Sequence, residues 1–233
     1  MLLFLALSYY TLSMKQPLWK RLLSYIKDVH IESATSIYND ELNVLLVKGQ
    51  YQLVTPEAIY SYGNRYDNFF KAFQKINLDQ EKIESVLILG LGLGSIPFML
   101  ENYFKKQYSY TAVEIDEDII HLASKYVLDD LNSDVTTICT DALTYVTIDQ
   151  NQYDLIAMDV FVSDYIPKEF ESIEYLMDLK ERIVPGGLLL FNRLYYFEKD
   201  KIKTKKYFET TFKKVFPKGR YLNINGNWIL MNR

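Results

Sequence analysis

A run of alternating glycines, Gly90, Gly92 and Gly94, separates a short apolar stretch from a predicted helix and constrains the fold more than any other feature. The apolar residues 86–89 predict a strand buried on both faces, and the helix is predicted over 95–106. Glycine lets the backbone turn sharply and approach a ligand, and the start of the helix offers N–H groups to a polar or anionic group. The run therefore predicts a ligand-binding loop or, as the alternative, a tight turn without a ligand.

Strands and helices alternate after residue 85, which predicts parallel strands joined by right-handed crossovers. Further strands are predicted over 110–114, 135–139, 153–159 and 188–192, with helices over 117–128, 168–183 and 199–216. The chain closes with two predicted strands around Asn225-Gly226, a dipeptide typical of antiparallel hairpins. We therefore predict an α/β, Rossmann-like fold with a mostly parallel seven-stranded sheet and a closing antiparallel hairpin. A plain dinucleotide-binding domain would have parallel strands to the end.

The N-terminal part of the chain has a different pattern. Apolar residues at helical spacing predict a short helix over 17–28, and aromatic residues on one face predict another over 58–76. Between them, a small antiparallel unit is predicted from three β-rich segments, 29–38, 43–48 and 51–54. The expected divisions are a tail with a short helix, a small β-hairpin domain and an α/β catalytic domain, at 1–28, 29–57 and 58–233.

The composition indicates a globular protein and argues against several classes of function. The formal net charge of -4 gives no overall attraction to nucleic acid. Cys139 is the only cysteine and there are two histidines, which excludes an internal disulfide and disfavours a Cys/His metal cluster. The apolar residues 1–7 are too few to span a bilayer, and Met14 offers an alternative start, so 1–13 is interpreted as an upstream extension or frayed tail. We expect a cytoplasmic protein with no metal that binds neither nucleic acid nor a membrane.

Glu114 ends the next predicted strand, about twenty residues after Gly94. A carboxylate at this place can accept hydrogen bonds from both ribose hydroxyls of a bound nucleotide. Asp116 is a competitor for this role, but an aspartate directly before a helix is also a good N-cap. We therefore predict that Glu114 binds ribose and that Asp116 caps the helix, with a lesser role toward the ligand.

Three more carboxylates follow later strands of the α/β region. Asp141, with Ala142, is placed to contact an adenine base, and a helix cap is the alternative role for Asp141. Asp159 follows the fourth strand, where the strand order should reverse, and it is the best candidate for a group that orients or deprotonates an acceptor amine. A structural carboxylate is the alternative for Asp159, and a structural role is expected for Asp154. Asp164 lies in a segment that could close over the acceptor, or is part of an ordinary loop.

These motifs, together with the N-terminal strands, resemble the spermidine synthase family of aminopropyltransferases, a branch of the S-adenosylmethionine-dependent methyltransferase fold. The resemblance covers about residues 30–233. Its motifs are Asn43-Val44-Leu45, Gly49-x-x-Gln52, Ser61-Tyr62, the glycine loop, Glu114, Asp141-Ala142, Tyr153-Asp154 with Asp159, Pro185-Gly186-Gly187 and the closing hairpin. It implies that Asp159 is catalytic and that Gln52 and Tyr62 line the acceptor pocket, and Asp164 is the candidate for a second carboxylate facing the acceptor. The implied donor-binding residues are Gly90, Gly92, Gly94, Glu114, Ile115, Asp141 and Ala142.

The resemblance implies transfer of an alkyl (aminopropyl) group from S-adenosylmethionine or its decarboxylated form to a small-molecule amine, without a metal, in a homodimer. Two residues depart from the family pattern. Leu93 stands where the glycine loop usually carries an aspartate that binds the amine of the donor's aminopropyl arm, and Val162 stands where an acidic residue is typical. Leu93 favours an alternative, methyl transfer from S-adenosylmethionine to an unknown small acceptor. A non-catalytic nucleoside-binding protein is the third interpretation.

Overall fold

The structure is a computed structural model, and it describes residues 16–56, 59–61, 67–162, 165–224 and 226–233. A short helix, α1 (Leu18–Leu23), opens the described part of the chain. The strands of a first, antiparallel sheet follow it: β1 Val29–Ala34, β2 Leu42–Val47, β3 Gln50–Val54 and β4 Ile59–Ser61. They pair in chain order, which makes β1 and β4 the two edges of this smaller sheet.

The second sheet has seven strands and is mostly parallel. Its strands are β5 Ser85–Leu89, β6 Ser109–Glu114, β7 Asp134–Cys139, β8 Tyr153–Met158, β9 Ile183–Leu194, β10 Arg220–Ile224 and β11 Asn227–Met231. They lie in the order β10-β11-β9-β8-β5-β6-β7, and only the pairs made by β11 are antiparallel. The predicted fold is therefore confirmed, including its closing hairpin. The strand order reverses between β5 and β8, so the ends of these two strands form the crevice where α/β sheets bind ligands.

Helices cover both faces of the seven-stranded sheet. They are α2 Asp67–Lys75, α3 Ser95–Asn102, α4 Glu117–Tyr126, α5 Ala142–Ile148, α6 Ile173–Glu181, α7 Glu198–Tyr207 and α8 Lys213–Val215. On β5, Val86 and Ile88 pack in one apolar cluster and Leu87 and Leu89 in another, and all four are fully buried. The first cluster also contains the apolar face of the smaller sheet, so one continuous core joins the two sheets.

The prediction of one helix over 58–76 is wrong. Residues Ile59–Ser61 form β4, which pairs with β3, and the helix described in this part of the chain is Asp67–Lys75. The smaller sheet therefore extends past the boundary predicted at residue 57. The open edge of β3 offers unpaired backbone groups, and pairing with a β-branched and aromatic segment outweighs the helical spacing of the side chains.

Two other predicted helices are interrupted. The helix predicted over 168–183 is a 3₁₀ turn at Lys168–Glu171 followed by α6, because Ser172 caps α6 by accepting the Tyr175 N–H at 3.1 Å. The helix predicted over 199–216 contains a π-helical turn at Phe208–Phe212 between α7 and α8. In the part of the chain that the structure describes, none of the helices is long and apolar enough to cross a bilayer.

Polar contacts fix the smaller sheet to α4 in addition to the shared core. Glu32 on β1 accepts hydrogen bonds from Lys125 Nζ at 2.7 Å and from the Tyr126 hydroxyl, and these bonds lower the pKa of Glu32. The ring of Tyr126 also packs on Tyr51 of β3, with 4.8 Å between ring centroids. The C-terminal turn of α4 is therefore held by two strands of the smaller sheet.

Candidate active site

The glycine loop and Asp159 are in direct backbone contact at the point where the strand order reverses. The Asp159 N–H donates to the Leu89 carbonyl at 2.8 Å, and the Gly90 N–H donates to the Val113 carbonyl at 3.0 Å. Gly90 has a φ of 88°, and a Cβ on this residue would lie 2.5 Å from the Asp159 carbonyl oxygen. Only glycine fits this position, because a side chain would overlap with main-chain atoms.

The rest of the loop leads directly into α3. Gly92 and Gly94 also have positive φ values, 52° and 81°, and Gly94 is the N-cap of α3. A glycine N-cap has no side chain that could accept hydrogen bonds from the first turn of the helix. The loop thus presents bare backbone and a helix N-terminus at the edge of the crevice, as a polar or anionic group requires.

Glu114 is held against this loop by four backbone N–H groups. Its Oε2 accepts hydrogen bonds from Leu91 at 3.1 Å and Gly92 at 3.3 Å, and its Oε1 accepts from Ile115 at 3.0 Å and Asp116 at 3.3 Å. Burial nevertheless raises the pKa of Glu114, and the four donors oppose that rise. Glu114, the residue predicted to bind ribose, therefore lies in one cluster with the glycine loop, and Ile115 is partly exposed beside them.

Asp116 caps α4, as predicted, and faces the smaller sheet. Its Oδ1 accepts the Asp118 N–H at 3.0 Å. Its Oδ2 accepts hydrogen bonds from Ser36 Oγ at 2.5 Å and Asn39 Nδ2 at 2.8 Å, in the connection between β1 and β2. Only 1% of Asp116 is exposed. The carboxylate is therefore engaged in joining the two sheets, two residues after Glu114.

Asp141 has the geometry of a helix cap. Its Oδ2 accepts hydrogen bonds from the Thr144 N–H at 3.1 Å and the Thr144 hydroxyl at 3.3 Å, at the start of α5. Ala142 is buried next to it. The capping interpretation of Asp141 is thus observed, and the contact of Asp141 and Ala142 with an adenine base stays a prediction.

Asp159 belongs to a line of hydrogen-bonded side chains that the sequence analysis missed. Asn192 Nδ2 donates to Asp159 Oδ1 at 2.9 Å, and Asn227 Nδ2 donates to Asn192 Oδ1 at 2.9 Å. Only 1% of Asn192 is exposed. A polar residue directly after the apolar run 188–191 was the available signal, because a buried amide near the end of a central strand needs a partner.

Asp154 has the structural role that was expected. It lies at the opposite end of β8 and accepts hydrogen bonds from the backbone of Glu84 at 3.0 Å and of Ser85 at 2.9 Å. These donors, with the Ser85 hydroxyl, lower the pKa of Asp154. Asp154 thus fixes the start of β5, whereas Asp159, directly after β8, lies at the crevice.

The residues implied for the acceptor are only partly described. Gln52 is buried in β3, with 5% of its surface exposed, and is paired in register with Leu45. Tyr62 and Asp164 lie outside the described residues. Within the described ranges, no group of three or more His, Cys, Asp or Glu side chains is arranged to hold a metal ion.

Two curated relatives are similar to this chain over about half of its length. One is a probable polyamine aminopropyl transferase of Bifidobacterium longum, 32% identical over 112 residues, or 48% of this chain and 24% of that protein. The other is a polyamine aminopropyltransferase of Vibrio vulnificus, 31% identical over 114 residues, or 48% of this chain and 38% of that protein. The matches thus span less than half of either relative.

Solved structures of the same fold are more distant in sequence. A probable spermidine synthase from Corynebacterium glutamicum superposes with a TM-score of 0.69 at 17% identity, over 87% of this chain and 78% of that one. A spermidine synthase in complex with the transition state analogue AdoDATO gives 0.63 at 16% identity, over 87% and 71%. Human methyltransferase-like protein 13 in complex with SAH gives 0.54 at 24% identity, over 65% and 72%.

The family model for the spermine/spermidine synthase domain matches residues 75–224. This range contains the glycine loop, Glu114, Asp159 and Asn192, and it ends in β10. The match covers more than half of the chain. The chain therefore belongs to the spermine/spermidine synthase domain family.

Proposed function

We propose that this protein is an alkyltransferase that transfers an aminopropyl group from decarboxylated S-adenosylmethionine to a small-molecule amine. The observation that supports the proposal is the backbone contact between Gly90 and Asp159, because it brings an acidic residue next to the glycine loop where the strand order reverses. Polyamine aminopropyltransferases among the relatives, and a solved spermidine synthase bound to AdoDATO, support the same donor and acceptor classes.

The residues of the crevice fit a sulfonium nucleoside. Glu114 presents its carboxylate at the loop, and its two oxygens can accept the two ribose hydroxyls in place of their longest backbone bonds, those from Gly92 and Asp116 at 3.3 Å. The positive φ values of Gly90, Gly92 and Gly94 give the loop a sharply turned backbone without side chains at these three positions, which suits a close approach of the donor. The donor itself supplies an electrophilic carbon next to a positively charged sulfur.

Asp159 is assigned the acceptor side of the reaction. It orients the amine and accepts the proton that the nitrogen loses as the new carbon–nitrogen bond forms and the carbon–sulfur bond breaks, with the bonding pair going to sulfur. Asn192 holds the carboxylate in one orientation through its bond to Oδ1. Much of the rate enhancement then comes from holding amine and donor in line, because the donor carbon is already activated.

Leu93 supports methyl transfer as a second candidate function. Its side chain is 1% exposed and packs in the apolar core, so this loop position offers no charge to a donor ammonium group. A methyl donor has no aminopropyl ammonium to bind, and the leucine would be harmless in that reaction. The two functions give different nucleoside products, 5′-methylthioadenosine for aminopropyl transfer and S-adenosylhomocysteine for methyl transfer.

The test is to incubate the protein with each donor and 1,4-diaminobutane and to identify the nucleoside product by mass spectrometry. We expect 5′-methylthioadenosine from decarboxylated S-adenosylmethionine. Asp159→Asn should lower turnover about 10²–10⁴-fold, the usual contribution of a general base, with nearly unchanged affinity for 5′-methylthioadenosine. Asp134→Asn, on the exposed start of the edge strand β7, is the matched control. Wild-type turnover by Asp159→Asn would refute the assignment.

A further inference from the structure

Asn227 links the closing hairpin to the crevice. It follows Gly226 at the start of β11, and 8% of its surface is exposed. Its Nδ2 donates to Asn192 Oδ1, and Asn192 Nδ2 donates to Asp159 Oδ1, both at 2.9 Å. We propose that Asn227 is a positioning residue for Asp159 and that it acts through Asn192. The proposal rests on the transferase function proposed above, in which Asp159 receives the acceptor amine.

The pairing of the strands brings the three side chains together. In the antiparallel pairing of β9 with β11, Leu194 lies opposite Asn227, so Asn192 is the diagonal neighbour of Asn227 on the same face. On the other side of β9, the parallel pairing with β8 brings Asp159 next to Asn192. The backbone of Asn227 is also paired with Ile224 of β10. Asn227 is therefore held in place by a strand on each side.

The line of hydrogen bonds has a direction that is set by the carboxylate at its end. An ionised carboxylate only accepts hydrogen bonds, so Asn192 must turn its NH₂ group toward Asp159. The oxygen of the same amide then points to Asn227, and it needs a donor there because Asn192 is only 1% exposed. Asn227 Nδ2 is this donor. A donor at position 227 thus fixes the amide in the orientation that serves Asp159, whereas an acceptor there would favour the reversed amide.

The reversed amide would place an oxygen against the Asp159 carboxylate. The charge-assisted hydrogen bond to Oδ1 would be lost, and the two oxygens would repel each other. In the proposed reaction this carboxylate holds the amine in line with the donor carbon, so its displacement should slow the chemical step. Binding of the nucleoside is assigned to Glu114 and the glycine loop. The expected signature is a lower kcat with an unchanged KM for the donor.

The first experiment measures turnover of three variants at about pH 8, where an introduced aspartate is ionised. Asn227→Asp replaces the donor by an acceptor of nearly the same size, and kcat should fall about tenfold to a hundredfold with unchanged KM for the donor. Asn227→Ala removes the donor without adding an acceptor, and kcat should fall less, about threefold to tenfold. Asn223→Asp is the matched control, because it adds the same charge at an exposed residue of the same hairpin, and it should keep wild-type kcat.

The order of the variants separates positioning from a purely structural role. Alanine deletes more of the buried side chain than aspartate does, so a structural role would make Asn227→Ala the more damaged variant. Thermal unfolding shows which variants are folded at the assay temperature. If Asn227→Asp is unfolded, the comparison of Asn227→Ala with Asn223→Asp decides. The positioning role is overturned if the folded variants at Asn227 turn over like Asn223→Asp, or if Asn227→Ala is less active than Asn227→Asp.

A second measurement does not depend on turnover. NMR spectra of the ¹⁵N-labelled protein report the side-chain NH₂ protons of Asn192, which are assigned by comparison with Asn192→Ala. Asp159→Ala should move this signal upfield in the wild-type background and in the Asn223→Asp background, because the bond to the carboxylate is lost. In the Asn227→Asp background the NH₂ group should bond to the new carboxylate instead, so Asp159→Ala should leave the signal in place.

The NMR result also separates the failure of this proposal from failure of the proposed function. If the wild type forms neither nucleoside product, the transferase function fails, and the NMR comparison still decides whether Asn227 sets the orientation of Asn192. An Asn192 signal that responds to Asp159→Ala equally in the Asn227→Asp and Asn223→Asp backgrounds contradicts the positioning role, whatever the turnover.

Discussion

Replacing Gly90 with alanine tests whether the glycine loop and Asp159 form one rigid unit. The new Cβ would lie 2.5 Å from the Asp159 carbonyl oxygen and 2.9 Å from its carbonyl carbon, so one of the two backbones must move. The positive φ of 88° adds strain of about 1–2 kcal/mol for any L-residue with a Cβ. The overlap adds about 1–3 kcal/mol, as for other overpacked positions.

Gly186→Ala is the matched control for this substitution. Gly186 has nearly the same φ, 85°, but no atom lies within 4 Å of the position of its Cβ. It should therefore carry the strain of about 1–2 kcal/mol without the overlap. The difference between the two free energies of unfolding, measured by chemical denaturation, isolates the contact with Asp159.

The contact between Gly90 and Asp159 should also affect the turnover of the enzyme. Displacing the backbone of Asp159 by a few tenths of an ångström or more misaligns its carboxylate with the acceptor, and we expect turnover to fall about tenfold to a hundredfold in Gly90→Ala. Gly186→Ala should keep wild-type turnover. The reasoning is refuted if the two variants lose equal stability and Gly90→Ala is as active as the wild type.

Two further predictions concern carboxylates with structural roles. Glu101→Gln should destabilise the fold by about 1–3 kcal/mol, because Glu101 accepts hydrogen bonds from the backbone and side chains of Asn132 and Ser133. These bonds hold the pKa of Glu101 below its ordinary value of 4.5, so in urea titrations its contribution should be full above that value and lost as the pH falls through the lowered pKa. Asp116→Asn should cost about 1–3 kcal/mol, since an amide cannot accept from all three donors around it; equal stability in denaturation would contradict this role.

The seven-stranded sheet could be predicted from the sequence because its signals are local. Each signal indicates its own element from a few neighbouring residues. Examples are the apolar run 86–89, the glycines between strand and helix, and the Asn225-Gly226 hairpin sequence. The order of these elements along the chain also predicts where the strand order of the sheet reverses. For the same reason Asp159 and Glu114 could be placed at the crevice before any contact was known.

Other parts of the site depend on partners that are distant in the chain. The strand Ile59–Ser61 forms because β3 offers it an edge to pair with. The residues around Ile59–Ser61 have helical spacing, so the sequence alone does not indicate this pairing. The role of Asn192 depends on its hydrogen bond to Asp159, which lies 33 residues before it in the chain. The joining role of Asp116 depends on Ser36 and Asn39, which precede it by about eighty residues. Single-sequence patterns do not contain such pairings.

The most direct test of the central claim is calorimetric titration with 5′-methylthioadenosine. If Glu114 and the glycine loop hold the nucleoside, the wild type binds it, and Glu114→Gln weakens binding about tenfold to a hundredfold through loss of a charge-assisted hydrogen bond to ribose. Glu117→Gln, on the exposed first turn of α4, should bind like the wild type. Absence of binding to the wild type, or equal affinity of the Glu114→Gln and Glu117→Gln variants, would contradict the account.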